Sequence, residues 1–73
     1  MDITGQAIDL VNSKRPFSIH LKSGETIPCK LMVGTNFSFP EKETDLIHFI
    51  NAADMQSSVQ IGQIAEILEL ISK

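Results

Sequence analysis

Residues 15–31 read RPFSIHLKSGETIPCKL. Phe17, Ile19 and Leu21 alternate with Ser18, His20 and Lys22, so one face is apolar and the other polar, the period of a half-buried β-strand. Ser23-Gly24-Glu25 interrupts the run, and Ile27, Cys29 and Leu31 then resume it on a single face. The two runs predict a β-hairpin over 17–33. Pro28 has no N–H to give to a ladder, which predicts an irregular start or a sharp bend in the second strand at Pro28-Cys29.

Toward the N-terminus, DITGQAIDLVNS (2–13) predicts a short helix with Asp2 or Thr4 as N-cap. Ile3, Ala7, Leu10 and Val11 fall on one stripe, and Pro16 drives Arg15 out of the helical region. At this length the helix must lie on an apolar surface to persist.

Toward the C-terminus, Gly34-Thr35-Asn36 predicts a turn and 37–39 a short strand with Phe37 and Phe39 on one face. PEKETD (40–45) is a charged loop. Leu46 to Ile50 favours a strand through its β-branched and aromatic content, against a helix capped by Asp45. Asn51 to Asp54 is a turn. In the last segment, Ile61, Ile64, Leu68 and Ile71 fit a helix, while Val59 and Ile61, then Ala65, Ile67 and Ile71, fit strands broken at Gly62. Strands over 58–68 are preferred, because the hairpin otherwise lacks partners. The expected fold is mainly β, a five-stranded barrel with an N-terminal helix. The alternative is α+β, the hairpin with a C-terminal helix.

The chain has 73 residues, which bounds it to a single domain, 1–73. A chain of this size buries about 60% of its unfolded surface, so stability is marginal without a staple. Cys29 is alone, which excludes an intrachain disulfide, and no Cys/His cluster suggests zinc. Self-association is the remaining source of stability, so a homo-oligomer or a protein partner is expected. A lone thiol fits a reducing compartment. No leader pattern and no apolar run of about 20 residues is present, so the expectation is a soluble, cytoplasmic protein without membrane contact.

The net charge of −3 is uneven. Residues 1–30 carry +1, with Lys14, Arg15, Lys22 and Lys30, whereas residues 31–73 carry −4. Such a chain is a poor nucleic-acid binder through its bulk field, leaving a local basic rim around Lys14 and Arg15. His20 lies on the polar side of its strand. His48 with Asp45 makes an incomplete metal pair. Cys29, on an apolar face, is a small hydrophobe rather than a nucleophile. Glu41, Glu43 and Asp45 read as a solvated loop. The glycines are too scattered for a phosphate cradle. No enzyme is expected, with no catalytic residue, metal ligand or cofactor assigned.

The succession of helix, hairpin with a glycine turn, short strand, charged loop and two final strands resembles the Sm-like small barrels, and their Hfq-like branch in particular. Asn12 to Leu21 is similar to that branch's helix exit, basic rim and first strand, Ser23-Gly24 to its hairpin turn, and Val59 to Ile67 to its second motif. SH3-like barrels share the same alternation. The resemblance implies a ring-forming barrel that contacts RNA through a rim of Lys14, Arg15 and Lys22, with Phe39 available to stack on a base. Gln60-Ile61-Gly62 stands where the branch has a Tyr-Lys-His stretch that reads RNA, and Cys29 where it has a strand-bending glycine.

Overall fold

A computed structural model describes residues 3–69. It contains one helix, α1 (Ile3–Ser13), and five strands: β1 (Phe17–Leu21), β2 (Thr26–Asn36), β3 (Leu46–Asn51), β4 (Gln56–Gln60) and β5 (Ile64–Glu69). A 3-10 turn, Ile61–Gln63, joins β4 to β5. All ladders are antiparallel within one open sheet of order β4-β3-β2-β1-β5. The fold is therefore mainly β, and the alternative with a C-terminal helix is excluded over 64–69. Ile71, part of that helical stripe, lies outside the described residues, as does Asp2.

The hairpin organises the sheet as its alternation predicts. Phe17 and Ile19 are fully buried, and β1 pairs with β2 from Phe17↔Cys29 to His20↔Thr26. At Cys29 the strand changes partner, since Cys29 also faces Asn51 of β3. Register irregularities follow between Cys29 and Leu31 and between Met32 and Gly34. Such bulges add twist and bend a strand, so one long β2 serves β1 with its first part and β3 with the rest. Pro28 causes no loss in the β1 ladder, and its carbonyl accepts from Ala52 N at 3.0 Å on the other side.

Two expectations between β2 and β3 are corrected. Gly34-Thr35-Asn36 is not a turn, because β2 runs on to Asn36 and pairs Gly34 with His48 and Asn36 with Leu46. Residues 37–39 form no strand. The backbone N–H of Ser38, which a ladder would need, donates instead to Asp45 Oδ2 at 2.9 Å. Phe37 packs beside the core while Phe39 is fully exposed, so the two rings do not share a face. The last strands span 56–69 rather than 58–68, interrupted at the position of Gly62.

The core gathers Ala7 and Leu10 from α1 with Phe17, Ile19, Cys29, Met32, Ile47, Phe49, Ile64 and Ile67 from the sheet. Phe17 and Phe49 meet edge to face, with centroids 6.4 Å apart and planes at 77°. This geometry contributes about 0.5–1.5 kcal/mol beyond burial. The helix ends where Lys14 turns left-handed (φ 55°) and donates its N–H to Leu10 O at 2.9 Å.

Candidate functional site

The residues of the expected basic rim do not converge. Lys14 and Arg15 precede β1 and Lys22 follows it, so a strand rising about 3.3 Å per residue holds them roughly 20 Å apart. Arg15 is also committed to ion pairs, with Asp9 at 3.1 Å and Glu69 at 2.6 Å. Lys22 borders two clefts that share Gly62. One, of about 340 Å³, is lined by Ile3, Ile61 and Ile64 together with Lys42, Glu41 and Glu43. The other, of about 290 Å³, is lined by Leu21, Ser23 and Gln63. Phe39 borders neither cleft.

Asp45 is the residue that the sequence understated. It is buried rather than solvated. Its carboxylate accepts from Lys42 N at 2.8 Å, Ser38 N at 2.9 Å and Ser38 Oγ at 2.8 Å. The amide of Lys42, followed by those groups of Ser38, holds the carboxyl below its ordinary pKa against the opposing effect of desolvation. The same loop is tied to the 3-10 turn, where Ile61 N donates to Asp45 O at 2.8 Å and Gly62 N to Glu43 O at 2.9 Å. A hydrophobic run after a charged loop gives no sign of this clamp; the Ser-x₆-Asp spacing becomes legible only once the loop closes.

The titratable groups weighed as chemistry have other neighbours. Burial pushes the Cys29 thiol up to about 12, which removes the thiolate at neutral pH. His48 Nδ1 lies 2.6 Å from Ser58 Oγ across the β3–β4 ladder. Among the described residues no group of three or more His, Cys, Asp and Glu side chains is placed to hold a metal. No helix among them is long and apolar enough to cross a membrane.

The outer strands of the sheet are β4 and β5, and backbone alternation fixes which of their groups face outward. Leu21 N donates toward β2, to Glu25 O at 2.8 Å, while Lys22 N donates toward β5, to Gln63 O at 2.9 Å. Even-numbered residues of β1 therefore serve β5, which makes Ser18↔Leu68 and His20↔Glu66 the bonded pairs. The amides of Ile67 and Glu69 consequently face the open side of β5. Gln6 Nε2 from α1 already occupies that side, donating to Ile67 O at 2.8 Å. On the opposite edge, Asn51 N donates to Met55 O at 2.9 Å and Ile61 N to Asp45 O. By the same alternation Ser57 and Val59 serve β3, and the N–H and C=O groups of Gln56 and Ser58 and the N–H of Gln60 face outward, while the Gln60 carbonyl, at the N-cap, accepts the first bond of the 3-10 turn.

Comparison with protein-family models, with curated proteins and with solved structures finds no match.

Proposed function

We propose that this protein is a non-catalytic small β-barrel module of the SH3-like or Sm-like kind that acts by assembly, its sheet edges pairing with another chain. The observation that carries this reading is the edge itself: β4 presents outward N–H groups at alternate residues, Gln56, Ser58 and Gln60, and outward carbonyls at Gln56 and Ser58, on an uncharged strand, QSSVQ. Unpaired edge groups of this kind are templates for strand addition unless charge, proline or a covering element blocks them. The bulged β2 and the short 3-10 link between the two edge strands support a sheet that curls toward a barrel. A buried thiol with a raised pKa supports a binding role over a catalytic one, and an unpaired cysteine suits the reducing cytoplasm. Sedimentation across a concentration series tests assembly. The expected result is a mass that rises above 8.1 kDa, and a constant monomer mass ends the homo-oligomer form of the reading.

A divergent Sm-like ring that binds RNA is the second reading, which rests on Lys22 and Lys42 lining one cleft with Ile61, beside Glu41 and Glu43. On it, Lys22→Ala weakens retention of single-stranded RNA, and binding falls steeply with salt, by about 0.7 in log–log slope per phosphate contacted. Filter binding that shows no retention at low salt removes it.

A further inference from the structure

We propose that β4 is a symmetric docking edge whose partner is β4 of a second copy of this chain, paired antiparallel about a two-fold axis through Ser58. This rests on the assembly reading and specifies its edge, partner and register. The outward amides belong to Gln56, Ser58 and Gln60, a series that reads the same in both directions. Setting Ser58 opposite Ser58 of the second copy makes a bonded pair on the axis and places Gln56 against Gln60 on each side, where the Gln60 N–H meets the Gln56 carbonyl and the Gln56 N–H shares the Gln60 carbonyl with the 3-10 turn.

The side chains agree with the backbone. Gln56, Ser58 and Gln60 are exposed and uncharged, so their cross-strand neighbours in the pair are also uncharged, whereas like charges set opposite one another would oppose pairing. Ser57 and Val59 occupy the other face, and Val59 packs against the core. The pairing sets each Val59 beside Ser57 of the second copy and extends the buried side of the sheet across the junction.

The edge of β5 is unsuited to the same use. Glu69 is one of its two outward residues, Gln6 occupies the Ile67 carbonyl, and Arg15 joins Glu69 to Asp9 of α1. A head-to-tail contact between β4 and β5 must displace that helix side chain. Among the described residues no side chain bonds the outward backbone groups of β4, so a β4–β4 contact displaces none, and it closes at two subunits.

Sedimentation equilibrium combined with hydrogen exchange tests the pairing. The expected mass moves with concentration toward twice the 8.1 kDa chain mass and stops there. Exchange at the amides of Gln56, Ser58 and Gln60 slows in step with it, while exchange at Ile67 does not change. Ser58→Pro removes the axial donor and leaves the backbone ladder to β3 intact, because that N–H points outward; like Ser58→Lys, it also gives up the contact of Ser58 Oγ with His48 Nδ1. Ser58→Lys keeps the N–H and sets two positive charges together. Both variants are expected to keep the wild-type circular dichroism and to sediment as monomers. A dimer that persists in both variants, or a wild-type mass beyond dimer, overturns the pairing while leaving assembly through another edge in place. A wild-type monomer at every concentration overturns the pairing and, with it, the homo-oligomer form of the assembly reading.

Discussion

Asp45 and Gly62 hold the same corner of the molecule from its two sides. A Cβ built on Gly62 would stand 2.7 Å from Glu43 Cβ and 2.9 Å from Glu43 O, so the close approach of the loop to the 3-10 turn requires a residue without a side chain. Gly62→Ala is accordingly expected to destabilise the fold by about 1–3 kcal/mol in urea unfolding, the usual cost of overpacking. For Asp45 the effect is read in pH. Its folded pKa is depressed, so its contribution is complete above the ordinary carboxyl value of 3.8 and is lost as pH falls through the folded value. Asp45→Asn should lower the melting temperature at neutral pH and flatten its decline in acid relative to wild type. An unchanged acid limb would show that the clamp does not carry it.

At the scale of elements, the junction between α1 and β1 carries avoidable strain. Lys14 adopts φ 55° at the position following the helix, where glycine is the residue that fits without a Cβ penalty. Lys14→Gly is expected to raise stability by about 0.5–1 kcal/mol, measured by the denaturation midpoint at unchanged slope. The elements that were legible in the sequence are those with a strong period. The α1 stripe of Ile3, Ala7, Leu10 and Val11 packs inward, and β1 and β3 follow their alternation. What misled was local chemistry overridden by partners distant in the chain. Gly34 is kept in β2 by His48 opposite it, and Phe37-Ser38-Phe39 is drawn out of a sheet by Asp45. Of the candidate site, the charges of Lys14, Arg15 and Lys22 were readable but their commitments were not, because Asp9 and Glu69 reach Arg15 only in the folded sheet. The outward set on β4 depends on which neighbour each amide serves, and no pattern of side chains encodes that.

For the whole molecule, stability and association are linked. A small domain held by one modest core gains free energy whenever its folded form binds and its unfolded form does not. The melting temperature of the wild type is therefore expected to climb with protein concentration, and that of Ser58→Pro to stay constant. Equal behaviour of the two in a calorimetric dilution series would separate stability from the β4 edge. The sheet also has a consequence for the order of events in time. β1 takes β2 on one side, from the adjacent hairpin, and β5 on the other, with Phe17 facing Glu69. Closing the second ladder spans nearly the length of the described chain, so it bears the largest loop entropy of any pairing in the sheet. On a ribosome, β1 emerges with its partner hairpin strand but stays open along its other side until residues 64–69 have cleared the exit tunnel. Through that interval the exposed template is β1, and the edge most in need of protection during synthesis is one that the finished sheet no longer has.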